Sequence, residues 1–413
     1  MDRNKMQYLF DETNYIRTGG TKEELKCATF IKEEIEKLGL EAKLEPFKVQ
    51  MADIEECKLI TPIGEIKALG YRNSNSTSDA GLTAPLYYLK GKNDYDLSLC
   101  KGKIVLMIGY FGKWMYEDLL KNGALAFITT TGLQTDSHED IDNRELRSMV
   151  SEGKEKIPGV NINIKDAIRL IDNDVKEVTI KLKQREYEAD SHNVVTEIKG
   201  ETDDIITFTA HYDSVPLSTG VYDNMSGSVG IFALMEKFLV NKPKHTLRFV
   251  WCGSEERGLL GSKAYVRDHE EELDKIGLVI NLDMIGCILG TAIACCTTEM
   301  KLVDYIDYMA LEKGYSLKAY QGVYSSDSTP FADKGVPALS FARLDPHDMQ
   351  IIHNRYDTFD QMSLKHMEED VEFIYAFAKR MDEAVYLPVK REIPQNMKDK
   401  LDEYMLRKKP EKK

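Results

Sequence analysis

His211 and Asp213 lie close together in the chain, with Asp223 a short way beyond them. Further on come the pair Glu255-Glu256, then Asp283, then a stretch holding His347, Asp348 and His353. Imidazole nitrogens and carboxylate oxygens are the donors that hold zinc and other borderline divalent cations. A carboxylate beside such a site and not bound to the metal can serve as a general base. Taken singly, each piece is ordinary. A Glu-Glu pair usually sits on a solvated face, a single His can be a capped and buried residue, and an Asp after a strand is commonly a turn or cap residue. The common setting gives them weight: each follows a short apolar run, so four separate strands would end in His, Asp or Glu. His347 follows the Asp345-Pro346 turn and reads as loop; with His211 and His353 the only other histidines in the set, a pair of metals would need carboxylates for the remaining ligands, one of them bridging. The other histidines, His138, His192, His245, His269 and His366, lie in polar or charged surroundings and read as structural.

The elements that must position these residues follow from the apolar pattern. Strands are expected at 193–198, 205–210, 247–252, 278–282 and 336–341, and helices at 229–239, 261–268, 300–313 and 370–385. Strands alternating with helices predict an α/β fold, a mainly parallel, doubly wound mixed sheet with helices on both faces. In such sheets ligands gather beyond the carboxyl ends of the strands, which is where the His, Asp and Glu residues fall. Residues 1–50 read as helix, loop, helix and strand. Thr21 and Glu24 form a capping box, apolar residues from Leu25 to Leu38 recur at helical spacing, and Gly39 stops the helix. This opening is expected to pack a core and carry no chemistry. Residues 51–188 have a different texture: short strands among Gly, Asn, Ser and Thr, with few helices, and almost no clustering of metal-binding types. The expected organisation is therefore a discontinuous α/β domain (1–50 and 189–392), a β-rich insert (51–188) and a charged tail (393–413).

Composition narrows the function further. A chain of 413 residues with 42% hydrophobic residues can bury a large core. Its net charge of −14 argues against nucleic acid or an anionic membrane as the main partner. The seven cysteines are odd in number and scattered, which suits a reducing compartment. The first residues hold no signal-like apolar core, and no run is long enough to span a bilayer. A cytoplasmic location is expected on these grounds.

Six motifs, AHYDS (210–214), VYDNMSG (221–227), SEERGLLGS (254–262), NLDMIG (281–286), SDSTPFADKGVPAL (326–339) and IHNRYDT (352–358), resemble those of the co-catalytic di-zinc aminopeptidases of peptidase family M28. The resemblance covers about residues 190–390, and RTGGTKEE with its helix resembles the family's N-terminal segment. The 51–188 insert is similar to a protease-associated domain through GKIVLM and KNGALAFI. The resemblance implies two zinc ions per chain, held by His211, Asp223, Glu256, Asp283 and His353, with Asp223 bridging. It implies that Glu255 is the general base and that Asp213 orients His211. The expected reaction is hydrolysis of the N-terminal peptide bond of short peptides with a free N-terminus, through a metal-bridging water activated by Glu255. Carboxypeptidase or dipeptidase action on the same scaffold, a glutaminyl-cyclase-like acyl transfer and a non-catalytic role are the alternatives. Some family members place an oxyanion-stabilising Tyr just before the last His ligand. Here that position is Ile352, and Tyr324 or Tyr356 are the substitutes.

Overall fold

Ile206, Phe208 and Ala210 are buried, and so are Ile205, Thr207 and Thr209 between them. A strand with no wet face must lie inside a sheet covered on both sides. In the computed structural model, which describes residues 1–133, 137–344 and 352–410, this strand, Ile205–His211, pairs in parallel with Thr246–Cys252 on one side and Ile276–Leu282 on the other. Ile276–Leu282 in turn pairs in parallel with Ala338–Leu344. Thr291–Thr297 runs antiparallel to Ala338–Leu344 and parallel to Leu317–Gln321, which closes that edge. At the other edge the second half of Glu177–Ile198 runs antiparallel to Thr246–Cys252. The result is a mixed α/β sheet, parallel through its centre.

Both faces are covered. Phe208 and Phe249 stack with ring centroids 4.9 Å apart. They belong to a core shared with helices Arg3–Thr13, Lys22–Glu36, Ser226–Phe238, Met300–Lys313 and Leu364–Glu383. Val250, Cys252 and Val279 point the other way, into a core with Leu260–Asp268, Ser328–Asp333 and Gln395–Tyr404. Register sets the functional edge. Cys252 is opposite His211, and Asn281 is opposite Thr209, so Asp283 falls level with His211.

The chain forms two compact units, Met1–Val49 with Asp190–Lys413, and Gln50–Ala189. The second has a sheet of its own, in which Leu82–Tyr88, Ile104–Leu106, Ala126–Thr131 and Gly159–Asn163 are parallel in that order. Ala68–Gly70 pairs antiparallel with Gly159–Asn163. Helices Lys113–Lys121 and Ile164–Asp172 follow two of the parallel strands, so this unit is α/β as well as rich in short strands.

Three expectations change. The strand expected at 193–198 is the end of a longer continuous strand, Glu177–Ile198. Thr291–Thr297 and Leu317–Gln321 are strands that the pattern did not announce, the first because Ala and Cys carry little of the β-branched and aromatic signal. Within 393–413, expected as a charged tail, Gln395–Tyr404 is a helix that buries Met397 and Leu401. Two apolar residues four apart make a one-sided contact that the surrounding charge conceals. Among the described residues no helix is long and apolar enough to cross a membrane.

Candidate metal centre

Each strand end delivers its polar group into the same space. His211 is the last residue of its strand and is buried. Its Nε2 lies 3.2 Å from Asp223 Oδ1, 3.8 Å from Asp283 Oδ1 and 3.8 Å from Glu255 Oε2. Its Nδ1 faces Asp213 Oδ1 at 3.5 Å. Asp223 turns its second oxygen away: Oδ2 is 3.0 Å from His353 Nε2, which is also 3.1 Å from Glu256 Oε2. Two groups of donor atoms result, His211–Asp223–Asp283 and Asp223–Glu256–His353, each close enough together to surround one ion, with Asp223 in both. All seven residues expected at the site, the five donors with Glu255 and Asp213, come together. His347 and Asp348 lie outside the described residues.

Local structure explains the delivery. The chain leaves the strand at His211, loops to Gly220, and makes a single turn, Val221–Met225, that places Asp223. Gly220 sits at φ 56°, and a Cβ there would be 2.6 Å from the Asp223 carbonyl oxygen, so only glycine fits. Asn224 ties this turn to the next strand end. Its Nδ2 donates to the Leu282 carbonyl at 2.9 Å, and its Oδ1 accepts from the Met284 and Gly227 amides, both at 2.9 Å. Asp213 accepts from the Glu255 amide at 2.9 Å and the Glu256 amide at 3.3 Å, so one carboxylate fixes the Glu-Glu backbone while it faces the His211 ring. Ser254, Met284 and His353 all have positive φ without being glycine. Such backbone is uncommon and concentrates at functional sites.

The electrostatics are those of a cation site. Burial works against a charged His211, yet the carboxylates around it, Glu255 foremost, hold its pKa well above the imidazole value. Burial pushes Glu255 well above the usual carboxylate range, against the pull of His211 and with help from Glu256. Asp327, fully buried near His211 and Asp283, is pushed up to about 7 chiefly by burial. Asp213, Asp223, Glu255, Glu256, Asp283 and Asp327 thus share this space with two imidazoles. So many carboxyl groups out of water need cations or protons. The mixed N and O donors fit zinc.

The model of peptidase family M28 matches residues 193–378, which hold all seven of these residues. Aminopeptidase YwaD of Bacillus subtilis is 32% identical over 393 residues, 91% of this chain and 82% of that protein. The chain belongs to peptidase family M28. A zinc aminopeptidase from Bacillus subtilis has the same fold, with a TM-score of 0.77 and 26% identity over 94% of this chain and 98% of that one. An aminopeptidase from Aneurinibacillus sp. strain AM-1 shares the fold at a TM-score of 0.75 and 23% identity, covering 94% of this chain and 96% of that one.

In this M28 chain several residues matter to the site beyond those the sequence singled out. Asn224, Asp327 and Asp357 sit inside the quoted motifs, but their types read as caps and turns. Glu24, expected only to cap a helix, is fully buried and accepts from Tyr212 Oη at 2.5 Å, Ser191 Oγ at 2.8 Å and the His192 amide at 3.1 Å. It therefore holds the residue between His211 and Asp213. Of the two tyrosines considered for the oxyanion, Tyr356 is 48% exposed and its hydroxyl accepts from Arg355. The Tyr324 hydroxyl is buried with no hydrogen-bond partner among the described residues, and Asp283 and Asp223 are among the charges acting on it.

Proposed function

We propose that this chain is a two-zinc aminopeptidase that removes the N-terminal residue of short peptides in the cytosol. Its coarse part is plain: the chain is a metallo-aminopeptidase, a hydrolase of peptidase family M28. The observation that carries the finer part is the division of the Asp223 carboxylate, one oxygen toward His211 and the other toward His353. His211 and Asp283 would hold one ion, Glu256 and His353 the other, and Asp223 both. When bound, such ions supply Lewis acidity to the scissile carbonyl and a nucleophilic water at neutral pH.

The chain's own residues do the rest. Glu255, its backbone fixed by Asp213, takes the proton of the attacking water on its carboxylate and returns it to the leaving amine. Asp213 keeps the His211 ring oriented with Nε2 toward the Asp223 and Asp283 oxygens, the usual part of a carboxylate behind an imidazole that would hold a metal. The Tyr324 hydroxyl donates to the developing oxyanion. Any carboxylate charge left uncompensated once two divalent ions are bound would be negative. Such charge would favour a substrate's α-ammonium over its α-carboxylate, which supports trimming from the N-terminus. Residues 51–188 are read as a domain similar to protease-associated domains, set into a peptidase domain of 1–50 and 189–392.

One short peptide in three forms (free, N-acetylated and C-amidated), incubated with zinc-loaded protein and followed by mass spectrometry, tests the reading. Loss of one N-terminal residue from the free and amidated forms alone is expected. Shortening of the acetylated form from its other end would make the enzyme a carboxypeptidase, and no change in any form would overturn the reading.

A further inference from the structure

Arg17 is fully buried, and among the described residues it has no carboxylate within ion-pair distance. Its guanidinium donates to main-chain carbonyls instead. Nε donates to Tyr212, Nη1 to Thr219, to Thr13 at 3.1 Å and to Tyr15 at 3.2 Å, and Nη2 to Gly220 at 2.7 Å. The Arg17 amide donates to Ser214 Oγ at 3.1 Å, and the Ser214 amide donates back to the Arg17 carbonyl at 3.4 Å. One cation thus ties down both ends of the loop between His211 and Asp223.

The same turn is gripped from its other side by an anion. Asp357 is fully buried. Its Oδ1 accepts from the Tyr222 amide at 2.7 Å and its Oδ2 from the Asp223 amide at 3.1 Å. The Thr219 hydroxyl donates to the Asp357 carbonyl at 3.2 Å. Positive charge sits on the carbonyls of 219–220 and negative charge on the amides of 222–223. Taking both charges out of water is costly, and closing a loop does not require it. What the arrangement achieves is to fix the direction in which Asp223 leaves the backbone.

We propose that Arg17 and Asp357 are positioning residues of the metal centre, which hold the 219–223 turn so that Asp223 offers one oxygen to each donor set. This rests on the two-metal reading above. It also explains why the RTGG segment packs against the site. Gly19, two residues after Arg17, lies so close to Ser254 that a Cβ would be 2.0 Å from its Oγ, directly before Glu255.

The test uses the full chain as wild type, Arg17→Met, Arg17→Lys and Asp357→Asn. Bound zinc is measured over chelator-buffered free zinc, alongside circular-dichroism melts and kcat and KM on a short peptide. Arg17→Met is expected to raise the half-saturating zinc about tenfold to a hundredfold and to lower kcat at fixed zinc with little change in KM. Arg17→Lys keeps the charge and up to three donors and should recover part of both losses. Asp357→Asn, which sets an NH2 against a backbone amide, should shift zinc in the same direction by less. A purely structural role would lower the melting temperature and leave the half-saturating zinc where it was. Folded variants with wild-type zinc affinity would overturn the proposal, and if Arg17→Met does not fold, Asp357→Asn decides by the same readout. A wild-type chain that holds no zinc anywhere in the titration would bring down the two-metal reading, and the positioning role with it.

Discussion

Both units build a parallel sheet, yet their strands end differently. In the first, Ile205–His211, Thr246–Cys252 and Ile276–Leu282 lead into His211, Ser254-Glu255-Glu256 and Asp283. In the second, Ile104–Leu106 leads into Met107-Ile108-Gly109, Ala126–Thr131 into Gly132, and Gly159–Asn163 into a helix that Asn163 caps by accepting from the Lys165 amide at 2.9 Å. Polar groups are buried there too. Thr129 Oγ1 donates to Asn161 Oδ1 at 2.8 Å, and Asn161 Nδ2 to the Asp142 carbonyl at 2.8 Å. These groups satisfy one another, whereas the Nε2 face of His211 is surrounded by carboxylates that cannot. A buried polar residue at a strand end points to a ligand when its neighbours leave it over-supplied with charge of one sign.

Substitutions at matched places should separate the two kinds of strand end. Glu255→Ala removes a base and no ligand. Its kcat should fall by about three orders of magnitude or more, with two zinc equivalents still bound by elemental analysis. Retained activity would overturn the assignment of Glu255. Asp223→Ala should fail to hold the zinc pair, because among the described residues no other carboxylate lies within ion-pair distance of both histidines; two equivalents in that variant would sink the bridging role. The counterpart in the second unit is Asn161→Ala. It strands the Thr129 hydroxyl, costs about 1–3 kcal/mol of stability in a denaturant melt, and should leave zinc content and kcat unchanged.

The fold's central alternation is legible in the sequence because its strands are apolar on both faces, and His211, Glu255-Glu256 and Asp283 stand out because each comes at or just after a strand end; Asp223 and His353 lie further along their loops, and their part as ligands comes from the resemblance to the family. The antiparallel edge formed by Thr291–Thr297 is not, since Ala and Cys give weak strand signals. The supports of the site are harder still. Glu24 and Arg17 lie about two hundred residues from the groups they hold, and a Glu after Thr21 already has a local explanation as a cap. Nothing in pattern or spacing says that the same carboxylate is buried beneath Tyr212. Asp357 is similar: an Asp in a polar stretch reads as loop until its two oxygens are seen on the amides of Tyr222 and Asp223.

Removing metal should sharpen the contrast by another route. An ion that binds only the folded state adds about 4 kcal/mol at a thousandfold excess over its Kd. With a strong chelator, hydrogen exchange is expected to rise at 211–225 and 253–258, where buried carboxyl groups lose their counter-charge. Residues 104–106, 126–131 and 159–163 should exchange as before. Equal deprotection of both sheets would mean that the strand ends of the first unit are not the place where metal is held.

The smallest effect comes from a pair of glycines. A Cβ on Gly19 would stand 2.0 Å from Ser254 Oγ and 2.7 Å from its Cα, while one on Gly159 would stand 2.0 Å from the Phe127 ring. Either substitution to Ala overpacks a buried contact and should cost about 1–3 kcal/mol, so thermal melts alone will not tell them apart. Kinetics will. Gly19→Ala pushes on the residue before Glu255, and misplacing a base by a fraction of an ångström should lower kcat by about tenfold to a hundredfold. Gly159→Ala displaces an aromatic ring among Tyr71, Phe111 and Tyr116 and should leave kcat as it was. Equal kcat losses from both would show that activity follows overall stability and not the geometry of the strand ends.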